Sequence, residues 1–231
     1  AGGGFATADA LAVNEVDEDG TTRVVASLLA DLPGMAVDVA QIDGDLLILV
    51  GRGQVIRRSP SGQLTTVAGH LGQVTAITES PEGGALVVDA GAGRVVHIDG
   101  VSGVVAEPIT GLNNPRGVAV APNGDVWVSH SGGATGFRDG RPIASINDIS
   151  DPHGIGVNSS TVLIAEPSTR RLIAVDLATG SHTVAVADAP IGPPVAGSVM
   201  THAFSPVIAD GESFVVGCDG DGSLRRLTSA R

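Results

Sequence analysis

The feature that most constrains the fold is a repeat of about 40 residues, in which short apolar runs follow tight turns. The starts of these runs lie 39, 41, 36 and 51 residues apart, and the longest interval carries the proline-rich loop 187–194. Each run is preceded by another apolar stretch and a turn such as Asn123-Gly124, a dipeptide that signals a β-hairpin. The runs are Leu46 to Val50, Ala85 to Val88, Val126 to Val128, Val162 to Ala165 and Ser213 to Val216.

A third and a fourth strand complete each repeat, as at residues 55–58 and 64–67. Four short strands joined by three tight turns in about 40 residues describe one blade of a β-propeller. No long segment keeps the apolar period of 3.6 residues that marks an amphipathic helix. The sequence therefore predicts an all-β propeller of four-stranded antiparallel blades, with six blades favoured over five.

The two ends of the chain each predict an incomplete blade. Residues 203–229 resemble strands one to three of a blade, whereas residues 10–13 and 23–28 resemble strands three and four. Either the N-terminal strand completes the last blade of a five-bladed ring, or a sixth blade combines strands from both ends. An incomplete N-terminus would give the same pattern. In the first two cases the N- and C-terminal strands close the ring and remove exposed sheet edges. We predict a single propeller domain over residues 1–231, with a partial blade at 1–34, blades at 35–72, 73–112, 113–149 and 150–197, and a partial blade at 198–231.

The composition narrows the classes of partner. The chain is 42% hydrophobic, which argues against global disorder, and its net charge is −12 with Arg as the basic residue throughout. A surface that binds nucleic acid needs a basic stripe to neutralise phosphates, and here basic residues cluster only as doublets among acids. Nucleic acid and anionic membrane surfaces are therefore poor candidates, and the acidic charge is read as favouring solubility.

The sequence does not determine the cellular compartment, although it slightly favours a location outside the cytoplasm. Cys218 is the single cysteine, so no intrachain disulfide can form. No apolar run reaches 18 residues, so membrane insertion is not expected. The first four residues lack the basic and apolar regions of a signal peptide, although a signal could precede this numbering.

The repeats resemble those of the NHL and SMP-30/gluconolactonase-like propellers. The resemblance is a blade signature, which covers the chain from about residue 33 onward and is specific for architecture rather than activity. It implies a superfamily that includes lactonases, lyases and non-catalytic binding modules, so the fold does not decide among them. The stretches that carry it are Asn114 to Val128, Leu86 to Val95 and Pro152 to Val157.

Chemistry is expected where loops enter the innermost strands and meet at one mouth of the central channel. Aligning the blades places five residues at nearly the same position: Ala36, Thr75, Arg116, His153 and His202. Neutral imidazoles of His153 and His202 are candidate ligands of a divalent metal, Zn or Ca. Alternatively, one histidine acts as a general base beside Arg116, which would stabilise a developing oxyanion. The resemblance supplies an analogue, because peptidyl-hydroxyglycine lyases use channel-facing histidines.

Departures from the family pattern weaken the metal hypothesis. The gluconolactonase-like site needs carboxylates and an Asn on innermost strands, where this chain has Ala36 and Thr75. Nearby candidates whose orientation the sequence does not fix are Asn114, Asp151 and Asp38. The acidic run 15–20 would suit Ca²⁺ chemically, but it is too short for an EF-hand loop and reads as a solvated turn.

Other polar residues are expected to be structural. Asp89, Glu166 and Asp219 follow the second strand of their repeats and are predicted to brace turns or nearby arginines. Cys218 reads as a small core residue.

The leading functional hypothesis is a propeller that binds a small molecule, peptide or protein partner at its channel face. The alternative is a lyase or hydrolase with a metal or acid–base site at His153, His202 and Arg116. A purely structural repeat is disfavoured, because these three polar residues align at one mouth.

Overall fold

The computed structural model describes residues 5–9, 11–99, 103–192, 206–218 and 221–228. The chain divides into two compact units, residues 1–112 and 113–231. This division coincides with a predicted boundary between two repeats.

The first unit contains three antiparallel sheets of consecutive strands. Its strands are β1 (Phe5–Ala8), β2 (Ala12–Val16) and β3 (Thr22–Ser27); β4 (Ala36–Ile42), β5 (Asp45–Val50), β6 (Gln54–Arg58) and β7 (Leu64–Ala68); and β8 (Val74–Glu79), β9 (Ala85–Asp89), β10 (Arg94–Ile98) and β11 (Val104–Ile109).

The second unit also contains three sheets of consecutive strands. Its strands are β12 (Gly117–Val120), β13 (Val126–His130), β14 (Gly132–Arg138) and β15 (Arg141–Ile149); β16 (Ile155–Val157), β17 (Thr161–Glu166), β18 (Arg171–Asp176) and β19 (His182–Val186); and β20 (Val207–Asp210), β21 (Ser213–Cys218) and β22 (Ser223–Leu227). Within the described residues, helix is limited to single 3-10 turns at Ala90–Ala92 and Pro167–Thr169.

The six sheets confirm the predicted fold class, an all-β propeller with six blades. In each unit the first strands of successive sheets lie side by side, β1 beside β4 and β4 beside β8, then β12 beside β16 and β16 beside β20. Every sheet consists of consecutive strands, and within the described residues none combines strands from both chain ends.

The second strands explain why the repeat was visible in the sequence. Residues Leu46–Val50 are all buried, as are Val162–Glu166, because each of these strands packs between neighbouring sheets on both faces. A strand buried on both faces needs a continuous apolar run rather than an alternating one.

The N-terminal blade differs from its prediction in the position of its strands. The residues expected to form strands three and four are β2 and β3, and β1 precedes them. Because β1 lies beside β4, as β4 lies beside β8, the sheet holds strands one to three, and the described residues add no fourth strand to it. The prediction missed β1 because Phe5–Ala8 is short and has only one large apolar residue. Only residues 28–35 connect β3 to β4, whereas the connection from β6 to β8 contains β7.

In the described part of the chain, no helix is long and apolar enough to cross a membrane.

Candidate functional site

Arg116 and His153 occupy the same position in two neighbouring blades of the second unit. Each residue precedes the first strand of its sheet and donates its backbone N–H to the second strand. The N–H of Arg116 bonds the carbonyl of Ser129 at 2.9 Å, and that of His153 bonds the carbonyl of Ala165 at 2.9 Å. The equivalence predicted from the sequence therefore holds for this pair.

A glycine and a buried serine bring these two blades into close approach. An added Cβ on Gly117 would lie 2.5 Å from the His153 carbonyl oxygen and 2.9 Å from Ser129 Oγ. The Ser129 hydroxyl accepts from the Gly117 N–H at 2.9 Å and donates to the His153 carbonyl at 2.5 Å. The side chain of Ser129 thus ties the backbone at the start of β12 to the backbone that precedes β16.

The side chains of Arg116, Asp151 and His153 form one cluster. Arg116 Nη1 donates to Asp151 Oδ1 at 2.5 Å and also contacts His153 Nε2. The same His153 nitrogen lies 3.2 Å from Asp151 Oδ1. The His153 residue is 9% exposed, and the Arg116 and Asp151 side chains are each 27% exposed, so the cluster is sheltered yet reachable from solvent.

Electrostatics keep Asp151 ionised. Partial burial alone would raise the pKa of its carboxyl group, but the nearby His153 and Arg116 more than offset that effect. The pKa of Asp151 therefore lies below its ordinary value, and the group is an anion at neutral pH.

This geometry gives the His153 ring two alternative partners at one nitrogen. When Nε2 carries no proton, it can accept from the Arg116 guanidinium, and when it is protonated, it can donate to Asp151. A proton gained by the imidazole is stabilised by the carboxylate. The cluster can therefore take up and release a proton with a partner in either state.

The equivalent positions of the first unit carry different chemistry. β4 has a bulge between Ala36 and Asp38, and β8 has one between Val74 and Ala76. The bulged residues are Val37 and Thr75, so Thr75 stands where predicted, whereas the alignment placed Ala36 one residue too early. The Thr75 hydroxyl oxygen is buried without a hydrogen-bond partner.

Asp38, a candidate whose side chain the sequence could not place, links two first strands of the first unit. Its Oδ2 accepts from the Ile77 N–H of β8 at 2.9 Å, and its Oδ1 accepts from the Val39 N–H at 2.9 Å. Burial raises the pKa of Asp38 to about 6, against the opposing effect of both amide bonds.

His202 lies outside the described residues, as does Asp219. The position predicted for His202 beside His153 therefore stays a prediction.

The remaining candidates have local partners. Asn114 donates to Ser131 Oγ at 3.3 Å, outside the cluster. Asp89 accepts from the Gly72 N–H at 3.1 Å and pairs with Arg94 at 3.0 Å.

Glu166 is likewise structural. It accepts from the Ser150 N–H at 3.0 Å and from Arg171 Nη2 at 2.6 Å. Burial would raise its pKa, but these bonds and those of two hydroxyl groups lower it to about 2. The predicted bracing role of Asp89 and Glu166 is confirmed.

The described residues around His153 do not fit a metal. Within the described part of the chain, no group of three or more His, Cys, Asp or Glu side chains could hold an ion. The Arg116 guanidinium contacts the imidazole nitrogen that a metal would use, and its charge would repel a cation. The first-unit positions Val37 and Thr75 also lack the carboxylates that the family resemblance requires.

Sequence reasoning overlooked Ser129 and left Asp151 unplaced. The available signal for Ser129 was its place inside an apolar second strand, where a serine indicates a buried hydrogen bond. Asp151 stands two residues before His153, a spacing that allows both side chains to face the same space.

Comparison with known proteins gives fold likeness only. No protein-family model and no curated protein matches the chain. Among solved structures, virginiamycin B lyase from Staphylococcus aureus matches with a TM-score of 0.63 and 13% identity, over 95% of this chain and 78% of that one. A catalytically inactive histidine-to-alanine variant of that lyase with quinupristin matches with a TM-score of 0.64 and 14% identity, over 94% of this chain and 74% of that one.

Two further structures share the fold. A nidogen/laminin complex matches with a TM-score of 0.64 and 15% identity, over 74% of this chain and 70% of that one. A proposed gluconolactonase matches with a TM-score of 0.58 and 16% identity, over 70% of this chain and 67% of that one. The chain is a six-bladed β-propeller whose structural neighbours include lyase and gluconolactonase-like propellers.

Proposed function

We propose that Arg116, Asp151 and His153 form the acid–base site of a lyase or hydrolase that acts on a small carbonyl compound. The observation that carries this proposal is the position of His153 Nε2, in contact with a guanidinium and 3.2 Å from a carboxylate oxygen. An imidazole placed in this way can accept a proton from a substrate and return it to a leaving group.

The roles follow from the charges of the three groups. A substrate carbonyl oxygen replaces the imidazole beside Arg116, because a guanidinium prefers an oxygen on which negative charge develops. His153 Nε2 then accepts a proton from a substrate carbon or from an attacking water, and Asp151 stabilises the resulting imidazolium.

Both reaction types balance with these groups alone. In an elimination, the C–H electron pair forms a double bond, the leaving group departs with its bonding pair, and His153 returns the proton to it. In a hydrolysis, the water oxygen bonds to the carbonyl carbon, the bond to the leaving group breaks, and His153 protonates that group.

The structural neighbours lend support by analogy. Virginiamycin B lyase shares the fold, and replacing a histidine by alanine inactivates that enzyme. A histidine essential to a propeller of this fold is consistent with His153 as the base, although the likeness itself concerns the fold.

The test uses two probes taken from these neighbours, quinupristin and a gluconolactone. Liquid chromatography with mass spectrometry follows quinupristin, and acid release at constant pH follows the lactone. We expect turnover of at least one probe, and we expect His153→Ala to reduce it by at least about 100-fold.

The matched control is His130→Ala, in the same unit. His130 bonds Thr135 Oγ1 at 2.9 Å and takes no part in the cluster, so this variant should keep full activity. Turnover that survives His153→Ala, or turnover of neither probe by the unaltered protein, would contradict the proposal.

The second candidate is binding of a ligand without turnover, the function that the sequence alone favours. The Arg116–Asp151 ion pair favours it, because these side chains already satisfy each other. On that account, both probes remain unconverted, and His153→Ala lowers the melting temperature and the affinity for a ligand together.

A further inference from the structure

The outer edge of the first blade is the unpaired side of β3, and the connection that follows β3 is short. β3 pairs with β2 on one side, and within the described residues no strand pairs with its other side. The eight residues 28–35 that lead from β3 to β4 are too few for a strand and two turns. An unpaired edge presents backbone groups to which another extended chain can bond.

A groove lies next to this edge. Its volume is about 430 Å³, and it is bounded by the residues that follow β3 and by the outer strands of the second blade. Its apolar lining includes Leu28 and Leu64, which are partly exposed, and Leu32 and Ile56, which are already buried in the core. The groove therefore offers apolar contacts at Leu28 and Leu64 to side chains of a strand added beside β3.

Large apolar side chains around the edge remain exposed. Leu29 in the groove wall is 96% exposed, Val24 on β3 is 60% exposed and Leu11 is 64% exposed. The backbone N–H of Leu28 bonds the Leu11 carbonyl at 2.7 Å, so Leu11 lies near the start of the groove. Exposed aliphatic residues beside an open strand edge favour burial by a partner.

A backbone carbonyl of β3 already accepts a hydrogen bond from a side chain of the neighbouring sheet. Arg58 of β6 donates Nε–H to the carbonyl of Val25, which forms a bulge opposite β2. An added strand would replace this side-chain donor with a peptide N–H. Arg58 thus competes with an added strand for the Val25 carbonyl, and removing its side chain should favour strand addition.

The acidic residues near the outer edge of β3 determine which kind of strand can bind there. Residues 5–35 contain six carboxylates and one arginine, Arg23, which pairs with Glu15, so these carboxylates outnumber Arg23 and the neighbouring Arg58 together. Two copies of this chain would bring two acidic sheets together, which disfavours pairing of β3 with itself. A basic strand would instead be attracted.

We propose that the outer edge of β3 and the adjoining groove bind an extended basic peptide segment, which adds a fourth strand to the first blade. Main-chain hydrogen bonds to β3 supply affinity, alternate aliphatic side chains enter the groove, and basic side chains meet the carboxylates. This site is independent of the cluster at His153.

The test is calorimetric titration with an acetylated and amidated seven-residue peptide in which Lys and Val alternate. We expect saturable binding that weakens severalfold when the salt concentration rises from about 50 to about 300 mM. The same peptide with alternate amides N-methylated should bind at least about tenfold more weakly, because it cannot complete the strand ladder.

Variants locate the site on the protein. Leu29→Asp should weaken binding by about tenfold through lost apolar contact, whereas Ile143→Asp, at a 45% exposed position on β15, should not. Arg58→Ala should tighten binding more than Arg57→Ala, which removes an equal charge but pairs with Asp45 rather than with β3.

Three results would overturn the proposal. The first is equal affinity for the N-methylated peptide. The second is stronger binding of a peptide in which Glu replaces Lys. The third is sedimentation of the free protein as a dimer that Leu29→Asp dissociates, since a second copy would then occupy the edge.

Discussion

Two carboxylates near the first strands of the two units behave in opposite ways. Asp151 precedes a first strand of the second unit, beside a guanidinium and an imidazole, and its pKa is lowered. Asp38 lies on a first strand of the first unit and accepts hydrogen bonds from two backbone amides, and burial raises its pKa to about 6. The charge of Asp151 is therefore stabilised, whereas the charge of Asp38 is disfavoured.

The difference shows which of the two carboxylates belongs to an acid–base site. The cluster of Arg116, Asp151 and His153 places opposite charges together, so that a proton can move among them without creating an isolated charge. Asp38 instead accepts from backbone amides, and the bulge positions of the first unit carry Val37 and Thr75. An acid–base site is therefore expected at the cluster rather than at Asp38.

The largest expected effect comes from separating the two blades that hold the cluster. Gly117→Ala should lower the free energy of unfolding by roughly 2–4 kcal/mol, because the new methyl group meets the His153 carbonyl and Ser129 Oγ. Chemical denaturation measures the change. The corresponding first-unit residue, Ala76, already carries a methyl group.

The control for this change is Gly69→Ala, where an added Cβ meets nothing within 4 Å. It should cost less than about 1 kcal/mol. Equal costs for both glycine variants would show that the blades do not approach as described.

The next effect concerns Asp38, whose pKa is raised by burial. Asp38→Asn should raise the free energy of unfolding by roughly 1–2 kcal/mol at pH 8 and leave it nearly unchanged at pH 4. The raised pKa means that Asp38 favours folding while protonated and that this contribution disappears as the pH rises from about 4 to about 6. Chemical denaturation of the unaltered protein and of Asp38→Asn at both pH values measures this change. A difference in unfolding free energy that does not depend on pH would refute the raised pKa of Asp38.

A smaller loss should follow removal of the cation from the cluster. Arg116→Gln should cost roughly 1 kcal/mol at pH 7, because Asp151 keeps its charge but loses its ion-pair partner. The comparison variant is Arg138→Gln, which removes a more exposed arginine from Asp125. If Arg138→Gln costs more, the ion pair of the cluster contributes less than one whose arginine is more exposed.

The smallest effect is the acid dependence of the cluster itself. Asp151 has a lowered pKa, so its contribution to stability is present above about pH 4 and is lost as the pH falls through the lowered value. Asp151→Asn should therefore cost up to about 1 kcal/mol at pH 7 and nothing near pH 2. A cost that persists at pH 2 would indicate a role in packing instead of charge.

The sequence predicted the fold because apolar runs, which form buried strands, alternate with turn residues at a nearly regular spacing. Runs such as Leu46–Val50 identify second strands, and their spacing identifies blades. β1 was missed because it lacks such a run, and β2 and β3 were therefore predicted to be the third and fourth strands of their blade instead of the second and third.

The candidate site could be predicted only where the repeat has a constant length. Arg116 and His153 align because neighbouring blades have similar strands, but a bulge in β4 made the alignment fail for Ala36 by one residue. His202 lies outside the described residues, so its alignment stays a prediction. Asp151 could not be assigned a direction, because a residue before a strand has no fixed face.

The most direct test of this account is a nuclear magnetic resonance titration that follows the side-chain carboxyl carbons of Asp38 and Asp151 in one sample. The account predicts a pKa of about 6 for Asp38 and a pKa below 3.8 for Asp151. In Arg116→Gln, the pKa of Asp151 should rise while that of Asp38 stays unchanged. Equal pKa values for the two groups, or a reversed order, would contradict the claim that Arg116 and His153 stabilise the charge of Asp151 while burial disfavours the charge of Asp38.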